Sequence, residues 1–182
     1  RQPPSGSHSS PFPARFRSRP ASTFLVVPGA PHVQWSSLLL ACSSSAHCPT
    51  QAEHAYVPQH FSAFATNSLQ LLSYLHLLPQ HPRVLINLYY DPFGSNVDCL
   101  AEVGVTTDKQ RAMLSKLSAI NEVLRTGAEA ASFKVAAPNF ADHGLCSPAP
   151  FVQGVKAKAP FHPTPGGEVA IALAVERALR NE

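Results

Sequence analysis

The chain has 182 residues, 45% of them apolar, and a formal net charge of +3, which suits one α/β domain with a sizeable core. The excess charge is local: Arg1, Arg15, Arg17 and Arg19 fall in an opening stretch without acids, and the remainder carries ten basic against eleven acidic residues. A basic nucleic-acid surface is therefore not supported and no nucleic-acid partner is expected, and no apolar run approaches the ~20 residues that would span a bilayer.

Residues 1–22 are rich in Pro, Ser and Arg and lack a hydrophobic period, so they read as a disordered lead ahead of a domain over 23–182. No apolar stretch of the signal-peptide kind is visible. The β-branched run 23–27 predicts a buried strand. Residues 33–42 suit a short helix with Trp35, Leu38 and Leu39 inward. Residues 58–78 predict a long helix with Phe61, Phe64, Ala65, Leu72 and Leu75 near one face, ended by Pro79. The nearly continuous apolar run 84–89 suits a parallel strand buried on both faces.

A loop over 91–105 follows. A helix then starts near Thr107, with Thr107 and Gln110 as a capping box. Met113, Leu114, Leu117, Ile120 and Leu124 recur at helical spacing and predict its buried face. Gly127 is expected to weaken or end it. Residues 132–136 read as another strand, 138–161 as a long loop and 165–179 as the final helix. Strands alternating with helices predict a three-layer α/β sandwich, a parallel sheet flanked by helices.

The four cysteines, Cys42, Cys48, Cys99 and Cys146, allow three pairings. Cys42 and Cys48 flank a Ser-rich loop, whereas Cys99 and Cys146 fall in long loops at the expected carboxyl side of the sheet. Disulfides place a protein outside the reducing cytosol. Cys42, Cys48, His54 and His60 recur at an interval of six, which lacks the tight cysteine knuckle of structural zinc sites, so no metal is expected.

The segment Phe161-His162-Pro163-Thr164-Pro165-Gly166-Gly167 carries the most chemical information. His162 precedes a proline, which pushes its backbone to extended geometry. Thr164 is a candidate N-cap and Pro165 suits the first helical position. The positive end of a helix disfavours an imidazolium beside it, and a neutral imidazole is what a general base needs.

That block, with its alanine-rich terminal helix, resembles the last block of the SGNH (GDSL) hydrolases, secreted serine esterases and lipases. Residues 82–93 resemble the central strand and following loop of actinobacterial members, and Asp142-His143-Gly144-Leu145-Cys146 resembles their closing region. Gly29-Ala30-Pro31-His32 stands in the place of their Gly-x-Asn-Asp block. The resemblance covers residues 23–180. It implies a flavodoxin-like SGNH fold that is N-terminally incomplete, an extracytoplasmic setting, a monomer without cofactor, and a small ester or lipid substrate. It also implies the pairs Cys42–Cys48 and Cys99–Cys146.

The same resemblance assigns roles. His162 matches the general base. The position three before it, an acid in many members, is Ala159, and its neighbours Lys156 and Lys158 have the wrong sign to orient an imidazolium; Asp142 is a fallback acid, and a backbone carbonyl can serve as well. Gly29 can donate its N–H to an oxyanion, and His32 offers a ring donor. Pro31, in place of asparagine, has neither side-chain amide nor N–H, and loss of one oxyanion donor costs about 10²–10³ in rate. No Gly-Asp-Ser occurs; Ser7 and Ser9, in Gly6-Ser7-His8-Ser9-Ser10, are the nucleophile candidates. Tyr89, Tyr90 and Phe93 either line an acyl pocket or pack in the core. The alternative function is a non-catalytic SGNH-fold protein, degenerate or truncated, that binds glycan or lipid.

Overall fold

The computed structural model describes residues 24–27, Cys42, Ser45 and 51–180. Strand β1 (Phe24–Val27) precedes helix α1 (Gln51–His76), strand β2 (Arg83–Asn87), a 3-10 turn (Asp98–Val103), helix α2 (Thr107–Ala130), strand β3 (Lys134–Ala136), a second 3-10 turn (Ala141–His143) and helix α3 (Pro165–Arg180). The strands form one parallel sheet in the order β1-β2-β3, with Leu25 beside Val84 and Leu85 beside Lys134. The expected α/β class holds. The lead 1–22, the predicted helix over 33–42 except for its last residue Cys42, and Cys48 lie outside the described residues.

Val84, Leu85 and Ile86 are all buried, so both faces of β2 are covered, as its unbroken apolar run requires. Val84 and Ile86 join the main core with Phe64, Leu72 and Leu75 of α1 and Met113, Leu117, Ile120 and Leu124 of α2. Helix α1 packs on α2, α2 on β2 and β3, and α3 on β3.

Three local expectations are corrected. Helix α1 starts at Gln51, so Pro58 lies inside it, about two turns in, rather than at its entrance; there it supplies no N–H to the carbonyl of His54. The N-cap of α2 is Thr106, whose side chain accepts the Lys109 N–H, while the Gln110 side chain donates instead to the Gly94 carbonyl at 2.8 Å. Gly127 does not end α2. It is buried against α1, where a Cβ would stand 2.7 Å from Leu72 Cδ1 and 3.0 Å from Leu69 Cδ2. The glycine there serves a close helix–helix approach, which outweighs its poor helix propensity of about 1 kcal/mol.

Candidate functional site

The site is assembled from the two loops that leave the carboxyl ends of β2 and β3, where ligand sites of open α/β sheets gather. Leu88 N–H donates to the Ala136 carbonyl at 2.9 Å and extends the ladder by one bond. Beyond it, at Tyr89, a side chain takes up the backbone pairing. Asn121 of α2 binds it on both sides: its Oδ1 accepts the Tyr89 N–H and its Nδ2 donates to the Tyr89 carbonyl, both at 2.9 Å. Burial raises the Tyr89 hydroxyl above its usual pKa.

Tyr90 then points toward the second loop. Its ring stacks on Phe140 at 4.2 Å and its hydroxyl donates to the Phe161 carbonyl at 2.8 Å. Burial, reinforced by the charge of Glu168, pushes that hydroxyl well above the usual tyrosine value, so it stays a donor at any physiological pH. Asp91 closes the turn: its Oδ1 accepts the N–H groups of Phe93 and Gly94 at 2.8 and 3.3 Å. Burial raises its carboxyl above the ordinary value, outweighing those two bonds.

The loops are locked together at Gly94 and Gly144. A Cβ on Gly144 would lie 2.1 Å from the Phe93 carbonyl oxygen, and Leu145 N–H donates to the Pro92 carbonyl at 3.0 Å. The Cys99–Cys146 disulfide spans the same junction. Cys42 is disulfide-bonded as well, which removes its sulfur from any thiolate ligand set. Among the described residues no group of His, Cys, Asp and Glu could hold a metal ion.

The second loop folds back on itself before α3. His143 stacks on Phe151 at 3.7 Å, and its Nδ1–H donates to the Ala149 carbonyl at 2.8 Å. Val152 bridges Pro163. Phe161 N–H donates to the Gln153 carbonyl at 3.0 Å, and Gln153 N–H to the His162 carbonyl at 2.7 Å. Gln153 Nε2 donates to the Pro163 carbonyl at 3.0 Å. Thr164 caps α3 as its sequence position predicts, accepting the Gly167 N–H at 3.3 Å.

Within this frame His162 is exposed, while Phe161 beside it is buried with a φ of 62°. A bulky residue in that left-handed region costs about 1–3 kcal/mol and persists only where the surroundings over-determine it. Ala159 engages His162 through the backbone, its carbonyl accepting the His162 N–H at 3.2 Å. Asp142, Lys156 and Lys158 are exposed. Tyr90 serves as a tether and a stacking partner, and Phe93 is core, 1% exposed with its ring edge-on to Phe161. Neither Gln153 nor Asn121 was signalled by the sequence, because both act through backbone groups. Ser7, Ser9, Gly29, Pro31 and His32 lie outside the described residues.

A cavity of about 320 Å³ opens beside β2, lined by Tyr89, Asp91, Leu117, Asn121 and Arg125. Another, of about 380 Å³, sits at the opposite end of the strands against Arg83 and Lys134, away from the end where this architecture places its chemistry.

No family model matches the sequence, and no curated protein matches it. Two solved structures share the fold. The extracellular lipase from Streptomyces rimosus superposes with a TM-score of 0.73 at 18% identity, over 87% of this chain and 70% of the lipase. Phospholipase A1 from Streptomyces albidoflavus NA297 gives 0.67 at 16%, over 86% of this chain and 69% of that one. The architecture expected from the resemblance is thus the one these structures have.

Proposed function

We propose that the protein is a secreted ester hydrolase that acts on lipid or other carboxylic esters by acyl transfer to a serine. His162 is the general base: its imidazole takes the serine proton as the hydroxyl attacks the ester carbonyl, then returns it to the leaving alkoxide. Water releases the acyl group by the same route. Ser7 or Ser9 is the nucleophile candidate in this chain, and Gly29 supplies an oxyanion donor. The observation that carries the reading is an exposed histidine, on a loop pinned at the carboxyl end of the sheet, in a fold shared with two lipases. Those two enzymes favour lipid esters as the substrate class. The disulfide Cys99–Cys146 supports work outside the cytosol.

Pro31 supports the rival reading, a protein of this fold that binds lipid or glycan without turnover, since it removes one oxyanion donor. Fluorophosphonate labelling with peptide mapping, alongside His162→Ala, separates the two. Histidine-dependent labelling of one serine is the expected result. A folded chain that takes no label overturns hydrolysis in favour of binding.

A further inference from the structure

Three consecutive carbonyls around His162 are all captured by hydrogen bonds. Tyr90 holds that of Phe161 at 2.8 Å, the Gln153 N–H holds that of His162 at 2.7 Å, and Gln153 Nε2 holds that of Pro163 at 3.0 Å. The first of these carbonyls belongs to the left-handed Phe161, so His162 lies between the first two grips. Strain of this kind, next to an exposed titratable side chain, marks a place where the surroundings dictate the backbone. The grips come from different supports. Tyr90 follows the end of β2 and cannot swing freely, because its ring is stacked on Phe140. Gln153 belongs to the His162 loop and binds it with both backbone and side chain.

We propose that Tyr90 and Gln153 are positioning residues for His162, fixing the peptide groups before and after it and so the direction from which its Cα–Cβ bond presents the exposed imidazole. The proposal rests on the hydrolase reading above. Neither side chain contacts the reacting atoms; both act through the backbone. A side chain held by rigid neighbours keeps productive geometry, and small misplacements are costly in rate.

The test uses Tyr90→Phe and Gln153→Met in the full chain, each removing one donor while keeping shape. Turnover of a short-chain p-nitrophenyl ester and the His162 imidazole NMR signals are measured well below each variant's melting temperature. Each variant is expected to lose between about fivefold and about a hundredfold in kcat, with KM within about twofold, and to broaden or shift the imidazole signals. Unchanged kcat with wild-type imidazole signals overturns the proposal, as does a loss confined to KM. Either variant decides the matter if the other does not fold. If the wild-type chain neither turns over the ester nor takes fluorophosphonate, the hydrolase reading fails separately; the imidazole signals alone then decide, and unchanged signals in the variants overturn the positioning role.

Discussion

Gly144→Ala tests the junction between the two loops. Gly144 sits at φ −62° and ψ 174°, which any residue adopts, so backbone strain is not the objection. Space is. The new Cβ would stand 2.1 Å from the Phe93 oxygen, 2.4 Å from its carbonyl carbon and 2.7 Å from the Gly94 nitrogen. All three are backbone atoms, which cannot rotate away as a side chain can. The loops must part, at an overpacking cost of about 1–3 kcal/mol. Parting also threatens the bond from Leu145 N–H to the Pro92 carbonyl and that from Gln110 to the Gly94 carbonyl, each worth about 1 kcal/mol. The expected loss is about 3–5 kcal/mol, read as a lower urea midpoint and a melting temperature lower by roughly 10 °C. Gly154→Ala is the control, because nothing lies within 4 Å of a Cβ there; it should stay within about 0.5 kcal/mol of wild type. If both variants unfold at the wild-type midpoint, the loop junction is not the rigid contact described.

Two further outcomes are expected. Replacing Cys99 and Cys146 by serine opens a loop of sequence separation 47 and should cost about 4 kcal/mol on chain-entropy grounds; a urea midpoint unchanged from the oxidised wild type would contradict that. Asp91 has a folded pKa raised above its unfolded value, so the folded state holds the proton to higher pH. Stability therefore falls as pH rises through the window above the ordinary carboxylate value. Asp91→Asn, which keeps the Oδ1 acceptor, should flatten that fall when stability is followed by urea titration from pH 3 to 7.

The helix faces were legible because period is a local property. Met113, Leu117, Ile120 and Leu124 declare α2 by spacing, and Thr164-Pro165 declares the start of α3 by capping chemistry. Gly127 misled because its reason lies on another helix: propensity sees a helix breaker, whereas Leu72 and Leu69 need the missing Cβ. The cap of α2 slipped by one residue because Thr106 and Thr107 are adjacent and Gln110 is drawn to the Gly94 carbonyl. The tethers at His162 left no trace in the sequence. Phe161 is the wrong residue type to signal a left-handed turn, and Tyr90 and Gln153 bind carbonyls that every residue carries. His162 could be singled out by its neighbours Pro163 and Thr164, but its surroundings could not.

The span between Cys99 and Cys146 contains all of α2 and β3. A peptidase that cut once within that span would break the backbone without dividing the molecule. The two pieces would stay joined through sulfur, with the His162 loop and α3 still attached to β1 and β2. After such a cut, the covalent link between the two pieces is the cystine and no longer the peptide chain.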